Sequence, residues 1–218
     1  MFVGHYAAAL AATSADSRAK LWMTVAGCQL IDIGWGLAIV AGIERARYDA
    51  SLPFLPYVFE YMPWTHSLPA ALIWSGVAYL LVRRVWRVPH VAALLVASTV
   101  FSHWLFDLPV HRADLALWPG GPRVGLGFWD YPAAAQAAEV GLLAIAAGMA
   151  AAQRTRENRR AAPVVWFVAL LCVMQVAAVF LLKSGNPLLM GGGAAGTFVL
   201  LAVVAAWVDR RSGAPAHG

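Results

Sequence analysis

Runs of about 20 mostly apolar residues recur along this chain, and nothing else constrains its fold as strongly. A helix of that length crosses the hydrocarbon core of a bilayer, where every backbone N–H and C=O must find a partner within the protein. Six such runs are present, at roughly 20–43, 67–83, 91–110, 133–152, 163–183 and 188–208, the second of them short. Composition agrees: hydrophobic residues make up 61% and charged residues 12% of the 218, where a soluble domain carries about half and about a quarter. That balance excludes a disordered chain and argues against an ordinary soluble globule. The net charge of +5 does not indicate a nucleic-acid binder, because the basic residues sit in short clusters between apolar runs rather than on one accessible face. Cys28 and Cys172 both lie inside apolar runs, so neither a disulfide framework nor a cysteine-type zinc site is expected.

The basic clusters give the orientation, because Arg and Lys accumulate on the cytoplasmic side. Arg18, Lys20, the group at 83–87, the group at 154–160, Arg210 and Arg211 make 11 on one side, against 5 on the other: Arg45, Arg47, Arg112, Arg123 and Lys183. Six spans with both termini cytoplasmic satisfy this pattern, and the loops at about 44–66 and 111–132 then face outward. Met1 to Thr13 is apolar but too short to cross, and its basic residues follow it rather than precede it, the wrong order for a signal peptide. It reads as a short half-inserted helix ended by Ser14-Ala15-Asp16-Ser17. The fold class is therefore an all-α integral membrane protein, one membrane domain over 1–218. The last two spans read as scaffold, and Gly191-Gly192-Gly193 permits close helix approach.

Ionisable residues inside the spans are costly and mark function by default. Asp32, His103, Asp107 and Glu139 lie within spans, and His5 within the short first helix. At the helical rise of about 1.5 Å per residue, Asp32 is about 18 Å from Lys20, His103 about 20 Å from His90, and Glu139 about 21 Å from Gln153. The same rise puts His5 about 14 Å from Ser14, and His66 about 26 Å from Arg83. All fit one band between mid-membrane and the outer face.

His103, Asp107 and His111 repeat at i, i+4, i+8, so a helix stacks them on one face, although Pro109 bends the helix or ends it before His111. Imidazole with carboxylate suits Zn, Mn or Fe; the alternative is a polar stripe on a water-filled cleft, or a His–Asp hydrogen bond between spans. His66, in Trp64-Thr65-His66-Ser67, sits where Thr65 or Ser67 caps a helix; alternatively it belongs to the interface belt beside Trp64. Asp32 has apolar neighbours, and no Arg or Lys lies within a span to serve it, which leaves a metal or a proton as its partner. Glu139 is either a ligand or a support to a ligand His. The Gly- and Pro-rich loop from His111 to Gly127 reads as an ordered lid with Trp118 at the interface. Its Arg112 and Arg123 suit an anionic substrate group, or else lipid headgroups or pairing with Asp114 and Asp130. His90 and His217 read as ordinary loop and tail residues.

Gly4-His5, Thr65-His66-Ser67 and His103-x-x-x-Asp107 resemble the signature of small bacterial membrane proteins described as membrane-bound metal-dependent hydrolases. The resemblance runs from the N-terminus to about Glu139 and implies His5, His66, His103 and Asp107 as metal ligands. Pro63-Trp64 stand where that family often has Arg-Gly, and Asp32 alone stands near the place of an Asp-x-Asp-His.

The expectation is thus a hydrolase of the bacterial inner membrane with one divalent metal, zinc first. His5, His66, His103 and Asp107 hold it, and Asp32 completes the shell or orients a ligand. Glu139 is the expected general base, and His111, Arg112 and Arg123 face a small amphiphilic or lipid-like substrate arriving from the outer side. The competing classes are a proton- or ion-coupled transporter or channel using the same residues, and a non-catalytic membrane factor in which the His–Asp cluster staples helices.

Overall fold

A computed structural model of the protein describes residues 1–180 and 184–213. Lys183 and His217 lie outside the described residues, as does the end of the fifth apolar run. Eight helices carry most of the chain: α1 (Val3–Ala15), α2 (Leu21–Cys28), α3 (Leu30–Val40), α4 (Leu68–Arg84), α5 (His90–Val110), α6 (Pro132–Arg156), α7 (Ala162–Phe180) and α8 (Pro187–Arg211). Four of them, α5 to α8, are long and apolar enough to cross a membrane, and the bent pair α2–α3 makes a fifth candidate. The 17 residues of α4 sit at the short end of the spanning range.

The helix ends carry ordinary signals. Ser67 caps α4 by accepting from the Ala70 N–H at 3.3 Å, and Arg83 and Arg84 occupy its last turn, where positive charge suits the helix dipole. Asn186 caps α8 through the Leu188 N–H at 2.9 Å, and Arg210 and Arg211 close it. Pro109 lies in the last turn of α5, which ends at Val110 with His111 as its C-cap.

Three features depart from the sequence expectation. First, the run at 20–43 is not one straight helix: α2 and α3 meet at Gln29 with a bend of 47°. Second, the loops at about 44–66 and 111–132 are not purely irregular, so the fold is mostly helical rather than all-α. Strands β1 (Arg45–Tyr48) and β2 (Tyr57–Tyr61) form one antiparallel ribbon, and β3 (Leu115–Ala116) and β4 (Arg123–Val124) a second. Third, α1, expected as a half-inserted helix, is packed among other helices on most of its faces, which the sequence does not indicate. Val3, His5, Tyr6, Ala9 and Leu10 are all fully buried, within a core shared with α2, α6, α7 and α8.

Helix α8 packs closely on α3 through glycines. A Cβ on Gly36 would strike the Gly191 carbonyl oxygen, and one on Gly191 would lie 3.1 Å from the Ile39 side chain. Gly191 thus makes a close helix contact, with α3 as its partner. It brings α8, expected to be scaffold only, to the wall of the central cavity.

Candidate metal centre

Asp107 is the hub of the site. It projects from α5 and is 1% exposed. Its Oδ2 lies 3.2 Å from His103 Nε2, 3.6 Å from His111 Nε2 and 3.7 Å from His66 Nε2. Its Oδ1 faces the other way, 3.2 Å from His5 Nε2 and 2.7 Å from the Met1 amine. Asp32 joins from α3, with Oδ1 at 3.3 Å from His66 Nε2 and 3.4 Å from His103 Nε2. The structure thus brings together all five expected metal ligands, His5, Asp32, His66, His103 and Asp107, and adds His111. Two groups have ligand atoms close enough to share an ion: His5, His103 and Asp107, and Asp32, His66 and His103.

What each imidazole does with its second nitrogen decides what the first can do. His103 Nδ1 is 2.7 Å from the Cys28 carbonyl oxygen. A carbonyl only accepts, so Nδ1 carries the proton. Cys28 is the last residue of α2, at the bend, and the His103 ring meets its carbonyl there. His111 Nδ1 lies 2.7 Å from Asp114 Oδ1, again an acceptor. His66 Nδ1 lies 2.8 Å from Thr65 Oγ1. The Thr65 hydroxyl donates its one proton to Glu44 Oε2 at 2.7 Å, so it accepts from His66. In all three rings Nδ1–H donates outward and the Nε2 lone pair faces the carboxylates.

His5 is held differently. It stacks on His103, with centroids 3.8 Å apart and planes 8° from parallel. Neither of its nitrogens makes a hydrogen bond, and neither does His103 Nε2, although both Nε2 atoms lie 3.2 Å from Asp107.

Lone pairs facing carboxylate oxygens repel unless a metal ion or a ring proton lies between them. Bonds of about 2.0–2.2 Å set neighbouring ligands about 3.4 Å apart across a tetrahedron. The observed 3.2–3.7 Å separations around Asp107 Oδ2 fit that spacing. Donor chemistry and spacing together therefore fit a divalent metal, with Zn, Mn and Fe all compatible with imidazole and carboxylate.

The supporting residues carry weaker signals in the sequence. Glu44 follows α3, and its Oε1 accepts the backbone N–H groups of Trp64 at 2.8 Å and Thr65 at 3.1 Å. Burial pushes its carboxyl above the ordinary range, and the hydrogen bonds from Thr65 and the backbone draw it back. Asp114 reads in the sequence only as an arginine partner, but it orients His111. Trp104 Nε1 donates to the His66 carbonyl at 3.2 Å. Thr65 beside His66 and the spacing His111-x-x-Asp114 are the signals that point to this support.

The other candidate site residues have partners of their own. Glu139 is not in either group that could share an ion; its Oε2 accepts the N–H of Phe2 at 2.8 Å and of Gly4 at 3.3 Å. These are free donors at the start of α1, so Glu139 caps the helix that carries His5. Arg112 pairs with Asp130 at 2.8 Å, and Arg123 donates to the Glu60 carbonyl oxygen. Neither arginine lines the cavity next to the cluster.

That cavity has a volume of about 150 Å³. Its polar floor is Asp32, His66, Asp107 and His111, and its walls include Trp35, Leu55, Phe59, Met62, Trp129, Met190 and Phe198. His111 is clamped between Trp129, at 4.1 Å between centroids, and Phe59, at 5.4 Å. Trp35 Nε1 is buried and has no partner.

Apolar helices long enough to span a bilayer, wrapped around a buried carboxylate–histidine cluster with donor geometry suited to a metal, define an integral membrane protein. The chain belongs to the YdjM inner membrane protein family, whose model matches residues 1–183. The match covers every residue of the cluster and extends past Glu139 through α7. No curated protein and no solved structure matches the chain.

Proposed function

We propose that this protein is a membrane-embedded metal-dependent hydrolase, and that one divalent metal, zinc first, sits against Asp107. One observation carries the proposal: three imidazoles have Nδ1 committed as donors to Cys28 O, Thr65 Oγ1 and Asp114 Oδ1, which turns three Nε2 lone pairs onto two carboxylates. His66, His103 and Asp107 are the proposed ligand set, with His111 and His5 at its edges and Asp32 beside it. Outward partners of this kind orient metal-binding histidines and raise their basicity.

Bound there, a divalent metal supplies a Lewis acid and makes water nucleophilic near neutral pH. The chain supplies the rest. Asp32, whose side chain is 18% exposed, is the carboxylate most open to the cavity. We assign it the general-base role that the sequence suggests for Glu139: its Oδ1 accepts the proton of the attacking water. The unpartnered Trp35 N–H is placed to donate to a substrate oxygen, a task the sequence suggests for Arg112 or Arg123. The aromatic and aliphatic walls exclude bulk water and suit an apolar substituent. A cavity of about 150 Å³ is smaller than the 300–1,000 Å³ or so of a drug-sized site. It therefore admits the reacting head of an amphiphilic substrate rather than the whole molecule. The same reading has α4 crossing as a sixth span, both termini cytoplasmic and the cavity opening toward the outer side.

Elemental analysis of the purified protein tests the centre: about one transition metal per chain is expected. Protein that is free of metal and takes up no added zinc, manganese or iron overturns the proposal. Hydrolysis of ester and phosphoester amphiphiles by the loaded protein, absent in Asp32→Asn, then tests the chemistry.

A further inference from the structure

The opposite end of the bundle holds a second polar cavity, independent of the metal centre. It has a volume of about 440 Å³ and is lined by Ser17, Lys20, Glu157, Arg159, Asp209 and Arg210. These come from the turn after α1, the start of α2 and the C-terminal ends of α6 and α8, so four segments of chain converge on it.

Its two carboxylates are already engaged. Asp209 accepts the N–H groups of Leu21 at 3.2 Å and Trp22 at 3.0 Å, capping α2. Glu157 Oε2 takes Arg159 Nη1 at 3.4 Å, and Arg159 Nε donates to the Ser212 carbonyl at 3.3 Å. Among the described residues, Lys20 and Arg210 have no ion-pair partner, and the Ser17 hydroxyl makes no hydrogen bond. Arg154, at the end of α6, is fully buried. Its Nε and Nη2 have no partner, and its Nη1 reaches only the Ala150 carbonyl at 3.4 Å. The backbone N–H of Arg159, a lining residue, donates to the Arg154 carbonyl at 2.8 Å, which sets Arg154 beside the cavity wall. A buried guanidinium without a counter-ion is costly, and the cations around it outnumber the carboxylates.

We propose that this cavity binds a phosphate group. A tetrahedral phosphate offers oxygens to an ammonium, guanidinium forks and a hydroxyl at once. Basic pockets between the cytoplasmic ends of membrane helices take phospholipid headgroups in this way, and a soluble phosphate compound has the same recognition chemistry.

Native mass spectrometry of the detergent-solubilised protein with phosphatidylglycerol or with phosphatidylcholine reads the lipid source. Thermal melting with inorganic phosphate against chloride at equal ionic strength reads the soluble one. Retained phosphatidylglycerol, with no effect of inorganic phosphate, supports a lipid headgroup; a higher melting temperature with inorganic phosphate alone supports a soluble ligand. Lys20→Gln/Arg210→Gln removes two exposed cations without breaking an ion pair, and should weaken either response roughly 30-fold. Arg154→Met should lose the phosphate-dependent rise while melting no lower than the unsubstituted protein without phosphate. If neither phosphatidylglycerol nor phosphate binds, or if both variants respond as the unsubstituted protein does, the proposal is overturned.

Discussion

Helices α5 and α7 are both apolar and of similar length, 21 and 19 residues, yet they have opposite relations to the bundle. α5 lies at the centre and carries His103 and Asp107, each at most 1% exposed. α7 lies at the rim, with Val165, Trp166, Val173 and Val176 all more than half exposed, and carries no charged residue and no histidine. A helix at the centre keeps charged side chains because neighbouring elements bring their partners: α1 brings His5, α3 Asp32, and the segment before α4 His66. A rim helix faces hydrocarbon, where a charge has no partner. The contrast teaches that a long apolar run marks a span, whereas enclosure decides what the span can carry.

The comparison is broken most forcefully at its polar side. His103→Ala and Asp107→Ala each remove a donor common to the cluster and should abolish metal binding, measured as metal per chain after gel filtration. Full metal content in either folded variant would overturn the ligand assignment. One layer out, Asp114→Ala and Glu44→Gln leave the ligands in place but release a ring or its hydroxyl support. Loss of such a partner lowers metal affinity by about 10–100-fold, which competition with a chelator reads directly. Unchanged affinity would mean that neither carboxylate orients a ligand.

Glu139→Gln sits between centre and rim. It weakens the acceptor for two backbone N–H groups at the start of α1, and a hydrogen bond to a charged group contributes about 1.5–3 kcal/mol. The melting temperature should fall, and metal affinity should fall modestly because His5 is carried on α1. If hydrolysis is lost while stability and metal content stay intact, Glu139 acts in the chemistry after all, and its capping contact is incidental.

The parts of this molecule that are legible in the sequence follow from the same contrast. His5, Asp32, His66, His103 and Asp107 stand out because charge is rare in an apolar run, and helical rise alone puts them in one band. Glu44 and Asp114 do not stand out, because a carboxylate in a loop is commonplace until the fold aims it at an imidazole. The break at Gln29 leaves no mark, since no proline or polar run interrupts residues 21–28 and 30–40. The carbonyl at the bend is met by a ring from α5, 75 residues away in the chain. The two short ribbons escape a sequence reading for a related reason: they are held by pairing across loops, not by a long alternating pattern. The anchoring role of Glu139 depends on backbone groups 135 and 137 residues away, which no local motif records.

The smallest effect is expected on α7, and it tests the contrast from the apolar side. Val173 is 66% exposed and lines neither cavity. Replacing it by Ala removes two methyl groups that face lipid, so no cavity opens inside the protein and no buried donor is freed. Substitutions away from such features change stability by about 0.5 kcal/mol or less, and the metal content should be unchanged. A matched change on α5, Val100→Ala, deletes the same atoms from a fully buried position and should cost about 1–2 kcal/mol through lost contacts and a residual void. The pair of melting curves measures enclosure directly. Equal losses at positions 100 and 173 would mean that α7 is covered by a partner rather than by lipid, and the assignment of centre and rim would have to be redrawn.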